Sequence, residues 1–160
     1  MIALRWKRIG DHDLPMPRRA MPTEAGHDLP VVVDSRMGST LASYHASEDC
    51  ESLTVYPGAM VAFRTGWAVE IPPAYFGLVH VRSSVGKARW VLASSGVIDA
   101  SSRGEVCIPL LYLGAEPYHV RHGDRMAQMM LVPRPEVHDM EVDILSPSPR
   151  GEAGFGSTGR

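Results

Sequence analysis

Thirteen prolines and fifteen glycines are spread through these 160 residues, and they leave no stretch of ten or more with a clean helical stripe. Proline removes a backbone donor and fixes φ, and glycine weakens a helix interior, so only short elements fit between them. The intervals read as strands. Residues 2–7 alternate apolar and polar, as do Trp67, Val69 and Ile71 before Pro72-Pro73. Leu53 and Val55 run into the turn Pro57-Gly58, and residues 60–64, 75–81, 90–92, 106–113 and 126–132 are further short apolar segments. Residues 120–123 add one more, and 137–145 alternate weakly; only 85–89 suggest a helical turn. The expected fold is all-β, a barrel or jelly roll.

Hydrophobic residues at 44% and charged residues at 21% describe one globular domain, expected over residues 1–145, with a polar insertion at 35–51. Residues 146–160 turn to Ser, Pro and Gly and read as a flexible arm. A net charge of −2 creates no general field for nucleic acid, so an anionic ligand must be met by local arginines. The longest apolar run, 106–113, is too short to span a membrane, and residues 1–10 lack a signal-peptide core. Cys50 and Cys107 form no CxxC pair. A cytoplasmic protein without membrane or nucleic-acid partners is expected.

Residues 96–105, Gly-Val-Ile-Asp-Ala-Ser-Ser-Arg-Gly-Glu, read as the turn of a β-hairpin between two apolar runs. Asp99 stands where the first run ends. From these ten residues alone it reads first as a turn residue that bonds its own backbone, and it also suits a base acting on water. No P-loop, GxGxxG unit, GxSxG elbow or HExxH is present. His119 and His122 fall on opposite faces of a strand and read as structural. One aspartate, arginines beside small hydroxyl residues and a Gly-Phe-Gly-Ser-Thr-Gly tail are parts for a phosphorylated small molecule.

In order, five segments resemble the motifs of the trimeric dUTP nucleotidohydrolases (dUTPases): Ala25-Gly26-His27-Asp28-Leu29; Arg82-Ser83-Ser84-Val85-Gly86-Lys87; residues 96–105; Gly123-Asp124-Arg125-Met126-Ala127-Gln128; and residues 150–159. The resemblance implies a distorted jelly-roll subunit, a homotrimer with active sites at subunit boundaries, and Mg2+-assisted hydrolysis of dUTP to dUMP and pyrophosphate. Carried over by position, Asp99 would activate water against the α-phosphorus. The backbone of residues 92–97, with Ser95, Gly96 and Val97, would read the uracil. Arg82, Ser83, Ser84 and Gln128 would bind the phosphates, and Asp28 would support the metal through water. Arg150 and Phe155, Gly156, Ser157 and Thr158 would close over the nucleotide. Asp124 and Arg125 stay open between ligand contact and a turn with an internal ion pair.

Ser101-Ser102 stands where the family usually has Asp-Tyr, so the ring expected beneath the deoxyribose is missing unless another, such as Trp90, replaces it. Two other readings share these residues. A dCTP deaminase of the same superfamily would need a hairpin glutamate, for which Glu105 is present. A nucleotide-binding regulator would use residues 35–51 for a protein partner.

Overall fold

A computed structural model describes residues 2–34, 44–46, 51–149 and 151. Eleven strands and one short helix make up its regular structure: β1 (Arg5–Arg8), β2 (Gly26–Pro30), β3 (Tyr44–Ala46), β4 (Ser52–Val55), β5 (Met60–Glu70), β6 (Tyr75–Val81), α1 (Ser83–Lys87), β7 (Trp90–Leu92), β8 (Val97–Ile98), β9 (Glu105–Tyr112), β10 (Tyr118–Arg121) and β11 (Arg125–Pro133). They form three antiparallel sheets in the orders β1-β5-β9-β7, β10-β4-β3 and β2-β11-β6-β8. The all-β expectation holds. Among the described residues, no helix is long and apolar enough to cross a membrane.

The inward residues of the strands supply the core. Trp90, 1% exposed, is its largest side chain and packs against Phe63, Tyr112 and Tyr118 at ring separations of 5.8, 4.8 and 5.6 Å. Such tilted and edge-on contacts suit the aromatic quadrupole. Trp90 is therefore spent on the core and cannot stand in for the missing ring near Ser102.

Strand β5 joins what the sequence presents as two separate runs. A bulge between Arg64 and Ala68 shifts its register against β9, with Gly66 at φ +72°. Between these residues β5 advances four positions and β9 two, so the bulge adds two residues and keeps the inward phase: Phe63, Thr65, Trp67 and Val69 are all buried. His12 closes over this bulge: its Nε2–H donates to the Gly66 carbonyl at 2.8 Å, and its Nδ1 accepts from Arg8 at 3.0 Å.

Two expectations need correction. Residues 96–105 do not turn a hairpin, since β8 pairs with β6 while β9 pairs with β5 and β7. A local run-turn-run pattern fits two strands that cross between sheets as well as two that pair. Residues 137–145 form no strand; Val137, Met140, Val142, Ile144 and Leu145 are all exposed. The insertion at 35–51 contains a paired strand, β3, although residues 35–43 and 47–50 lie outside the described residues.

His27 faces inward beside Trp6, and its Nδ1–H donates to the Met129 carbonyl at 3.4 Å. Burial lowers its pKa below 6.5, the Met129 bond partly opposes this, and the charge of Arg19 adds to the lowering. The unfolded chain thus takes up a proton near pH 6.5 before the folded chain does, and stability falls as pH drops below that value. His27→Phe should flatten this loss. Urea unfolding on either side of pH 6.5 checks it: an equal acid-side loss in wild type and variant would contradict the assignment.

Candidate functional site

Alternation along the sheet β2-β11-β6-β8 decides which side chains meet. Leu29, Val79, Ala127 and Met129 point into the core. Asp28, Gln128 and His80 stand opposite one another across three strands and therefore share the outward face. The same face continues through the pairs Met130–Leu78 and Val132–Phe76, all half-buried, and on to Val97 opposite Leu78.

At one end of this face Asp28 holds two arginines. Its Oδ1 accepts from Arg82 Nε at 2.9 Å and its Oδ2 from Arg125 Nη1 at 2.9 Å, with the carboxylate side chain only 12% exposed. A half-buried carboxylate bridging two guanidiniums fixes both and neutralises one of their two charges. Arg125 thus has the internal ion pair that one of its two readings expects. Asp124 makes the turn contact of the same reading, its Oδ2 accepting the Arg121 N–H at 2.8 Å across the turn. Gln128 lies over Gly26, where a Cβ would collide with its Oε1, so the glycine permits that close approach. Arg82 follows β6 directly, and Ser83 and Ser84 come next, exposed, in the first turn of α1.

At the other end stands Asp99, just past β8. Its carbonyl accepts the Ser102 N–H at 3.0 Å, while no described residue hydrogen-bonds its exposed carboxylate. The turn is closed by backbone and by Arg103, whose Nη1 donates to the Ala100 and Ser102 carbonyls at 2.7 Å each. Gly96, at φ +69°, carries the chain onto the edge of β6, accepting the Val79 N–H at 2.8 Å. A Cβ there would collide with the Val79 carbonyl oxygen, so only glycine fits. Ser95 and Val97, on either side of it, are exposed. Beside Asp99 opens a cleft of about 510 Å³ whose lining includes Tyr75, Phe76, Ser101 and Arg134. Tyr75, Phe76 and Arg134 were not anticipated from the sequence, because only the β6–β8 pairing brings them to Asp99.

The two ends are well separated. Asp99 follows the Ile98–Gly77 pair, and Arg82 lies five positions beyond Gly77 along the chain. At ~3.4 Å per residue that is roughly 17 Å along the strand. Arg82 then reaches sideways, away from β8, to Asp28 on the far edge of the sheet. Within one chain, Asp99 and the arginines do not meet.

Among the described residues no group of three His, Cys, Asp or Glu side chains is placed to hold a metal ion. Asp28, with both oxygens committed to arginines, offers no direct ligand. Glu105 is likewise committed. Its Oε2 accepts from Arg64 Nε at 3.0 Å and its Oε1 from the Gly66 N–H at 2.7 Å, so it secures the β5 bulge and is not free to shuttle protons. Arg150, Phe155, Gly156, Ser157 and Thr158 lie outside the described residues.

Comparison with known proteins gives a consistent result. The dUTPase family profile matches residues 39–159. A deoxyuridine 5'-triphosphate nucleotidohydrolase of Anaplasma marginale is 37% identical over 150 residues, covering 92% of this chain and 91% of its own. That of Caulobacter vibrioides is 35% identical over 161 residues, covering 99% and 95%. Among solved structures, the dUTPase of Staphylococcus bacteriophage 80alpha with dUPNHPP superposes with a TM-score of 0.77 at 25% identity, covering 99% of each chain.

Proposed function

The chain belongs to the dUTPase family and hydrolyses dUTP to dUMP and pyrophosphate, and we propose that Asp99 activates the water in a site completed by a neighbouring copy. The observation that carries this reading is the uncommitted carboxylate of Asp99 at one end of a sheet face whose other end holds the guanidiniums. Asp99 accepts a proton from water as the water oxygen attacks the α-phosphorus. The bond from that phosphorus to the α,β-bridging oxygen breaks, and pyrophosphate leaves with the electron pair. Negative charge spreads over phosphate oxygens in the process, and preorganised donors stabilise it. Arg82, Ser83, Ser84 and Gln128 are the donors assigned to this task. Mg2+ enters with the triphosphate as part of the substrate. The backbone around Ser95, Gly96 and Val97 reads the uracil edge.

The assembly is a homotrimer in this reading. Three features support a second copy at the site. Asp99 and Arg82 are too far apart to share one α-phosphorus within a chain. The outward face between them is apolar, formed by Phe76, Leu78, Met130 and Val132, which suits packing better than nucleotide. The exposed apolar residues of 137–145, Ile144 at 86% and Leu145 at 82% among them, also call for cover. Residues 146–160 then act as the arm, with Arg150, Phe155, Gly156, Ser157 and Thr158 closing over the nucleotide and excluding water.

Pyrophosphate release from dUTP, UTP, dCTP and dTTP with Mg2+ tests the reading. dUTP should be turned over and Asp99→Asn should lose at least a hundredfold in kcat, the usual scale for a lost general base. Unchanged turnover in Asp99→Asn would remove Asp99 from the mechanism.

Ser102 sets a second expectation. With Trp90 buried and no ring at position 102, the sugar loses an aromatic packing face worth on the order of 1 kcal/mol. Ser102→Tyr should raise the dUTP-to-UTP ratio of kcat/KM about fivefold. A ratio unmoved by Ser102→Tyr would mean that residues elsewhere in the cleft already reject the 2′-hydroxyl.

A further inference from the structure

We propose that Arg18 and Arg19 extend the phosphate seat at Asp28, taking the β,γ end of the triphosphate and the pyrophosphate that leaves. This rests on the reading of the chain as a dUTPase.

The two arginines sit on the loop that joins β1 to β2, and that loop is held in place along its length. Arg8 lies over the Trp67 ring at 4.6 Å and donates through Nη1 to the carbonyls of His12 and Leu14 at 2.6 and 3.0 Å. Leu14 is buried at 4% exposure, and Pro15, Pro17 and Pro22 limit the backbone around it. At the far end the Arg18 carbonyl accepts the Asp28 N–H at 3.0 Å, forming an isolated β-bridge. Arg18 is thus tied by main chain to the residue that organises Arg82 and Arg125.

Between this loop and the sheet lies a cleft of about 730 Å³, lined among others by Met16, Arg18, Arg19, Asp28, Pro30 and Arg125. Its charge is one-sided. Asp28 is already engaged by Arg82 and Arg125, and neither Arg18 nor Arg19 forms an ion pair among the described residues. Arg18, Arg19 and Arg125 therefore line one cleft with a single carboxylate, Asp28, which also holds Arg82, in a chain whose net charge is −2. Concave, preordered and cationic, the cleft matches a condensed phosphate, which arginine forks engage through paired charge-assisted hydrogen bonds. A site that holds the β,γ end firmly also stabilises the leaving pyrophosphate as the α,β bond breaks.

The test separates anion binding from turnover by using inorganic tripolyphosphate as the probe, with calorimetry on the full chain. Arg18→Ala/Arg19→Ala should bind tripolyphosphate about tenfold more weakly. KM for dUTP should rise by a similar factor while kcat falls far less, and the dependence of kcat/KM on salt should become shallower. Arg18→Lys/Arg19→Lys should recover part of the affinity through charge alone, which a purely structural role would not produce. If the double alanine variant loses its fold by circular dichroism, the single Arg18→Gln and Arg19→Gln variants carry the same comparison. Wild-type affinity for tripolyphosphate in the folded variants would overturn the proposal, as would a fall in kcat at unchanged KM. Asp99→Asn should keep tripolyphosphate binding while losing turnover. Wild type that bound tripolyphosphate through these arginines yet hydrolysed no dUTP would overturn the dUTPase premise and leave the anion seat standing.

Discussion

The seven residues of β6, Tyr75–Val81, set how far the Asp99 carboxylate stands from the Arg82 guanidinium. One end of the strand pairs with β8 and so fixes where Asp99 emerges; the other runs directly into Arg82 and α1. Because side chains alternate, the residues that share the outward face with Asp28 and Gln128 are Phe76, Leu78 and His80. A rigid, hydrogen-bonded sheet cannot fold up to bring its two ends together. The proposed chemistry therefore needs geometry that a single chain does not provide, and the apolar stretch between the ends gives a neighbour something to pack against. In the proposed reading, assembly follows from strand length.

The cationic end depends on a single carboxylate. Guanidiniums brought this close repel one another, and Asp28 lowers that cost by accepting from both Arg82 and Arg125. Its own position is fixed through the β2–β11 register and the Arg18 bridge. The arginines are thus oriented before ligand arrives, which is what electrostatic stabilisation of a developing phosphate charge requires. At the opposite end Gly96 has the corresponding role, since only a residue without Cβ lets the chain lie against Val79 and release Asp99 into the cleft.

Much of this was legible in the sequence. The short apolar runs between prolines gave the all-β class, and the ordered motifs pointed to the family. Asp28, Arg82, Gln128 and Asp99 stand where strand ends and a shared face can use them. What was hidden is non-local. Run-turn-run at residues 96–105 cannot say whether β8 pairs with β9 or with β6, and the second is the case. Residues 137–145 alternate like a strand yet have no partner among the described residues, because apolar patterning marks a face that wants cover and not what covers it. Trp90 looked available beside the cleft until its packing against Phe63 and Tyr112 placed it in the core. Arg18 and Arg19 carried no motif signal; their placement depends on a loop tied to Asp28 by main chain alone.

The measurement that bears most directly on the shared site is complementation between two defective chains. Asp99→Asn and Arg82→Ala are each purified, confirmed to be folded and nearly inactive, then mixed in equal amounts, unfolded and refolded together. If the water-activating Asp99 and the phosphate-binding Arg82 come from different copies, random assembly leaves about a quarter of the sites with both native residues. dUTP hydrolysis should then return to about that fraction of the wild-type rate. No recovery in refolded, mixed assemblies would place both residues in one chain's site and contradict the account.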